Sequence, residues 1–321
     1  MIDLTMQING AFTHLTFLQH IDSGFFLLYG PLFYLYAQGV MYRDFKLSRS
    51  NLLHLIPYLL LTGLLLSLGK FRSGTTEDFI QNDLPRHFYL LSSLVYIHFF
   101  VYLGLTYKSL WKYRQIIKNT YSQIDQINLD WLSFSLNTFG LLTFVSLIHN
   151  FISLAGNESV LIITLVLLLL FIFYFVNRVI LKALRQPEIF AGITQNEAGK
   201  YLGSSLTPGQ IDGYKKQLLA LCHSEKPFLN PQVSLADLAN KLSISSKHLS
   251  QVINQSFNKS FFDFINAFRV QEAQSILKAS KDDKLTVLEV MYEVGFNSKS
   301  SFNTAFKKET GQTPTEFRKN T

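Results

Sequence analysis

The stretch that decides the fold is TVLEVMYEVGFNSKSSFNTAFKKETGQTPTEFRK, residues 286–319, together with its echo SLADLANKLSISSKHLSQVINQSFNKSFFDF at residues 234–264. Laid over one another, Leu235, Leu238, Ala239, Leu242 and Ser243 fall on Val287, Val290, Met291, Val294 and Gly295. The spacing i, i+3, i+4, i+7 puts each apolar set on one helix face, so both segments predict the same buried stripe. After one extra residue in the second turn, Leu249, Val252 and Ile253 fall on Phe302, Ala305 and Phe306, again at i, i+3, i+4. A helix, a turn and a second helix are thus written twice, and Ser260, Asp263 and Phe264 match Thr313, Glu316 and Phe317 at the tail of each copy.

The helix starts carry their own signals. Ser234 with Asp237, Ser260 with Asp263, Thr286 with Glu289 and Thr313 with Glu316 each place a hydroxyl at an N-cap and a carboxylate three residues on, which satisfies otherwise orphan N–H groups. Gly295 is free to take the positive φ that the second turn asks for, and Ser243 holds that place in the first. Opposite the apolar stripe, both second helices show amides, hydroxyls and lysines without an acid. The first presents Lys247, Ser250, Gln251 and Asn254; the second presents Lys299, Ser300, Asn303, Thr304 and Lys307. Lys suits guanine or phosphate, Asn and Gln suit adenine, and Ser and Thr suit either. A solvated face explains one such helix alone, whereas two in register favour a pair of DNA readers. The stretch between them, residues 260–280, reads as a helix about 30 Å long, close to the roughly 34 Å between successive major-groove contacts.

Residues 235–319, above all EVGFNSKSSFNTAFKKETGQTPTEFRK at 293–319, closely resemble the DNA-binding domain of the AraC/XylS family of bacterial transcription regulators. The resemblance implies an all-helical domain of two helix-turn-helix units on a linker helix, sequence-specific promoter binding, and DNA contact through the outward residues just named.

The rest of the chain is of another kind. A net charge of +7 over 321 residues favours an anionic partner, nucleic acid or anionic lipid. Only 16% of residues are charged and the mean hydropathy is +0.18, so some region is strongly apolar. Five segments are long and apolar enough to predict membrane crossings: 24–42, 52–69, 87–107, 132–156 and 159–180, the last containing VLIITLVLLLLFIFYFV. Buried helices of a large soluble domain are the alternative, which that last run disfavours. Residues 1–22 lack a basic start and a clean apolar core and predict an interfacial or external segment, not a signal peptide.

Lysines and arginines cluster in alternate loops: Arg43, Lys46 and Arg49; Lys108, Lys112, Arg114 and Lys118; Arg178, Lys182 and Arg185. The other loops carry Asp22, Glu77, Asp78, Asp83 and Glu158 against Lys70, Arg72 and Arg86. The positive-inside rule then predicts a multi-pass protein of the bacterial inner membrane with its N-terminus outside and its C-terminus in the cytoplasm, where DNA is. GFFLLYGPLFYLYAQGVMYRDFKL at 24–47, with LLHLIPYLL at 52–60, resembles the membrane part of membrane-anchored AraC-type regulators, which usually have more crossings. This chain shows five, so either its start lies downstream of the true one or this member lacks the first crossings.

The expected architecture is all-α: a transmembrane bundle over 1–186, a linker over 187–206 rich in Gly and Ser, and a DNA-binding domain over 207–321. Within it the first unit is 234–257, the linker helix 260–280 and the second unit 286–311, with Ile211, Tyr214, Leu218 and Cys222 ahead of them as a stripe that docks on the first unit or on a second copy in a dimer. Polar residues inside the predicted crossings, His98, Asn137, His149 and Asn150, are candidates either for sensing a ligand or proton or for plain interhelical hydrogen bonding. His54 falls at the inner start of the second crossing, an interfacial place. The single cysteine excludes an internal disulfide and a cysteine-based zinc site; no metal or catalytic motif appears, so neither a cofactor nor enzyme activity is expected. The expected partners are double-stranded DNA, the lipid bilayer, a second copy in a homodimer and an unknown signal ligand. The rival reading is a transporter-like or structural bundle whose helical tail tethers DNA or binds a partner.

Overall fold

The computed structural model describes residues 25–70, 85–154, 206–279 and 285–320, with 163, 166–167 and 169–175 besides. The expected N-terminal segment, the 187–206 linker up to residue 205 and most of the fifth crossing lie outside the described residues. What is described is all-helical, with no strand and one isolated antiparallel bridge between Tyr121 and Ser234. The chain divides into two compact units, Met1–Leu110 with Leu129–Phe190 and Trp111–Asn128 with Ala191–Thr321.

The first unit holds α1 (Phe26–Met41), a 3₁₀ turn at Arg49–Leu55, α2 (Ile56–Lys70), α3 (Pro85–Thr120) as far as Leu110, and α4 (Asp130–Leu154). The 52–69 segment is not one helix from its start. Its α-helix begins at Ile56, where Pro57 falls in the first turn and its missing N–H has no intrahelical partner to lose. The third segment is longer than expected, because nothing in residues 108–120 breaks a helix, and α3 runs for 36 residues. Where five crossings were expected, one helix among the described residues, α4 over Asp130–His149, is long and apolar enough to span a bilayer by length and composition. At 16 and 15 residues, α1 and α2 are shorter than the roughly 20 that a perpendicular crossing needs.

This unit packs closely inside. A Cβ on Gly30 of α1 would stand 3.0 Å from Tyr102 Cβ of α3, so glycine sets that approach. Its outer faces are apolar instead of polar. Phe26, Leu60, Leu94, Leu141, Phe144, Leu170 and Phe173 are all exposed.

The second unit closes a core. α5 (Pro208–Glu225) starts from a Thr207–Gln210 capping box with Pro208 in the first turn. It buries Leu218 and Cys222 of the expected stripe against α6 (Leu235–Lys241), α7 (Ser246–Phe257) and the start of α8 (Phe261–Ala279), while Ile211 and Tyr214 stay half-buried. The far half of α8 packs Val270, Ala273 and Leu277 against Val290, Met291, Phe302 and Phe306 of α9 (Val287–Glu293) and α10 (Lys299–Thr310). α11 (Pro314–Lys319) closes the chain and brings Phe317 onto Phe306 at a ring-centroid distance of 5.4 Å. Two cores on one 19-residue helix, about 28 Å long, give the double unit its frame.

The expected 1–186 boundary had left residues 111–128 with the first region. In the structure they belong with the second unit, where Tyr113 is fully buried with its hydroxyl donating to Ile127 O at 2.8 Å.

Candidate nucleic-acid interface

Each element of the duplicated reader is held by local chemistry. The Ser234, Thr286 and Thr313 hydroxyls accept from the N–H of Asp237, Glu289 and Glu316, whose carboxylates accept in return from the cap backbones. Those backbone bonds, then the threonine hydroxyls, hold the Glu289 and Glu316 carboxyls below the ordinary glutamate range. At the head of α8 the Ser260 hydroxyl accepts from Asp263 N and donates to the Asp263 carboxylate. The turns are equivalent too: Ser243 takes φ +54° in the first unit and Gly295 takes φ +88° in the second.

α7 and α10 start from Ser245 and Ser298, whose hydroxyls accept from His248 N and Ser301 N. α7 buries Leu249, Val252 and Ile253, and α10 buries Phe302 and Phe306. On α7, Asn254 is exposed with its amide donating to Ser250 Oγ at 3.3 Å, while Lys247, Ser250 and Gln251 are half-buried. Gln251 donates to Gln255 Oε1 at 3.3 Å, and its own buried carbonyl oxygen has no hydrogen-bond partner among the described residues. On α10, Lys299, Ser300, Thr304 and Lys307 are exposed and Asn303 is half-buried.

Charge divides the lysines. Lys226, Lys241, Lys259 and Lys308 are paired with Glu272, Glu225, Glu309 and Asp263. Lys247, Lys299 and Lys307, on the outward faces of the two second helices, form no ion pair among the described residues. The reader thus neutralises its flanks and leaves its outward faces positive, the condition for meeting phosphate.

Two features that the sequence reading passed over lock the units together. A Cβ on Gly295 would fall 2.6 Å from Leu229 O and 2.9 Å from Phe228 O, so the turn of the second unit lies against the backbone just ahead of the first. Arg269 of α8, 1% exposed, donates through Nε to Phe228 O at 2.7 Å and through Nη2 to Asn230 O at 2.9 Å. It also donates to Ser122 O and to Asn266 Oδ1, both at 3.3 Å, and lies over the Phe296 ring at 5.4 Å. Desolvation pulls its pKa down to about 10, which leaves it charged at neutral pH. One signal was present in the sequence: Arg269 stands at i+4 from Ile265 and i−4 from Ala273, a charge on the buried stripe.

The polar residues expected inside crossings do not form one site. Among the described residues neither buried ring nitrogen of His98 has a hydrogen-bond partner, and its ring lies 4.9 Å from that of Tyr102. Tyr102 shares a 2.8 Å hydrogen bond with His54 Nδ1, and the Tyr34 ring meets both. Asn137 is exposed and accepts a hydrogen bond from Tyr107; His149 is half-buried and Asn150 lies beside it near the end of α4.

Residues 238–320 match the sequence profile of a helix-turn-helix domain family. The msm operon regulatory protein of Streptococcus mutans is 30% identical over 106 residues, covering 33% of this chain and 36% of that protein. An uncharacterised helix-turn-helix-type transcriptional regulator of Pseudoalteromonas carrageenovora is 30% identical over 100 residues, covering 31% of this chain and 57% of that one. Among solved structures, the C-terminal domain of AraT, a response regulator from Geobacillus stearothermophilus, is 26% identical over 37% of this chain and 89% of that one, with a TM-score of 0.29. The C-terminal domain of the two-component response regulator yesN from Fusobacterium nucleatum is 28% identical over 33% of this chain and 98% of that one, with a TM-score of 0.29. The chain therefore spans from 13% to 57% of the length of these and the other curated relatives it matches, and its C-terminal part is a helix-turn-helix domain of the AraC type.

Proposed function

We propose that the chain is a membrane-embedded, sequence-specific DNA-binding transcription regulator that couples a membrane or extracytoplasmic signal to promoter binding. The observation that carries the DNA end is the pair of second helices, α7 and α10, each presenting unpaired lysine beside amide and hydroxyl groups on a frame fixed by Arg269 and Gly295. In this reading Gln251, Asn254 and Asn303 read base edges, Ser250, Ser300 and Thr304 assist them, and Lys247, Lys299 and Lys307 bind phosphate or guanine. The apolar exposure between Phe26 and Tyr174 supports the membrane end, because lipid is the solvent in which such faces rest without loss. A second copy adds affinity by raising effective concentration on a paired site.

The test is selection from a random duplex library by the full chain in lipid nanodiscs at near-physiological salt. Two short motifs about one helical turn apart are expected. Gln251→Ala and Asn303→Ala are each expected to relax preference at one motif by about 1–3 kcal/mol while leaving non-specific binding in place. Binding without sequence preference and with a steep salt slope refutes the regulator and supports a tether.

A further inference from the structure

The segment Tyr121–Asp125, between α3 and α4, touches both halves of the reader. Tyr121 pairs with Ser234 at the cap of α6, and Ser122 Oγ donates to Val233 O at 2.6 Å. On the other side Gln123 Oε1 accepts from Asn297 Nδ2 at 2.9 Å, and the Asp125 carboxylate accepts from Ser301 Oγ. Asn297 lies in the turn ahead of α10, and Ser301 is its third residue. The strap closes over a cavity of about 10 Å³, room for a single water, between itself, Asn266, Arg269 and Gly295.

The N-terminal end of a reading helix is where base edges and phosphates are met, and its free N–H groups and dipole favour an anion there. Asp125 already supplies one. We propose that Tyr121–Asp125 is an autoinhibitory strap: Gln123 and Asp125 occupy Asn297 and Ser301, and DNA has to displace them before the second unit reads. This rests on reading α10 as DNA-facing. The strap follows directly on α3, a helix unbroken from Pro85 to Thr120, so a shift of the last turns of α3 draws it off Asn297 and Ser301 and raises affinity. Tyr113 and Arg114 donate to Ile127 O and Asn128 O, just past the strap, and so tie the chain on its far side back to α3.

The experiment uses the full chain in nanodiscs with the duplex recovered by selection and a half-site duplex carrying only the first motif. Asp125→Ala is expected to raise affinity for the full site about five- to tenfold, as the loss of one charge facing phosphate does, and to leave the half-site unchanged. A Gln123→Cys, Asn297→Cys pair is expected to close under oxidation, weaken full-site binding and recover on reduction. Cys222 does not compete, being fully buried with its thiol pushed up to about 12. Lowered or unchanged affinity in Asp125→Ala, a pair that fails to close, or an oxidised form that binds as tightly as the reduced one overturns the strap. Failure of the wild type to prefer the selected duplex over random DNA sinks the DNA-reader reading instead, so the two failures are distinct.

Discussion

Phe302 and Phe173 are the same side chain in opposite circumstances, 1% and 70% exposed. Among the described residues, every exposed large hydrophobic side chain except Leu288 and Tyr292 lies between Phe26 and Tyr174. The helix-turn-helix unit hides its phenylalanines and shows lysine, serine and asparagine; the helices before it show leucine and phenylalanine and keep Thr106 and Tyr102 inside. The difference teaches that helix content and apolar content are separate matters. Both regions are helical, but one satisfies its apolar groups with its own core and the other leaves them for its surroundings. At about 25 cal/mol per Å² of apolar surface, water is a poor surrounding for the second.

The largest effect expected sharpens that contrast directly. Phe302→Ala should destabilise the reader by about 3–5 kcal/mol, because a fully buried ring leaves a cavity between α9 and α10. Phe173→Ala should leave the reader within about 0.5 kcal/mol of the wild type. The single cysteine makes the measurement convenient. Cys222 is buried in the first core, so its alkylation across a urea series reports opening of the reader in the full chain.

Next comes the solvent of the outer faces. Leu141→Lys, at an exposed position in the middle of α4, should lower membrane insertion by about 2.5–3.5 kcal/mol, read as the fraction of chain retained in membranes after alkaline extraction. Leu288→Lys, exposed to a similar degree in the reader, should change nothing in that assay. Equal behaviour of the two variants would break the comparison, since it would mean that α4 faces no lipid.

Smaller effects test the local chemistry. Thr286→Ala removes the capping hydroxyl of α9 and should cost about 1 kcal/mol in the same urea series.

The acid response is smaller again. Burial pushes the Asp263 carboxyl up, but the Lys308 and Ser260 contacts outweigh it and hold its pKa below the ordinary aspartate range. A depressed carboxyl contributes stability that is present above the unfolded pKa, near 4, and is lost as pH falls through the lower folded value. The partly exposed Lys308–Asp263 pair limits this to about 0.5–1 kcal/mol. Asp263→Asn should therefore lower stability slightly at pH 7 and flatten its decline below pH 4, measured by urea midpoints across that range.

Much of the reader was legible because its determinants are local. The capping pairs are three residues apart, the apolar stripe repeats within each helix, and Ser243 and Gly295 stand at equivalent turns with positive φ. The candidate contact residues followed from the same periodicity, which fixes the face opposite a buried stripe. Half-burial of Gln251 and Asn303 was not legible, since it depends on the neighbouring rotamers. In the apolar region, hydropathy did not make the 3₁₀ start before Ile56 or the run of α3 to Thr120 readable. Hydropathy ends where lysines begin, whereas a helix ends only where its backbone bonding does.

The sequence by itself determined that this chain carries two helix-turn-helix units on a connecting helix, behind a region too apolar to resemble them. Short-range patterns suffice for that, because period and capping are set within a few residues. Tertiary structure alone decided that Arg269 is the fastening between the units and that Tyr121–Asp125 belongs with them. Apart from Asn266, one turn back on α8, the groups that Arg269 binds come from 39 to 147 residues away along the chain. A guanidinium on a buried stripe is costly until those carbonyls are assembled around it, and no local period records where its partners will come from.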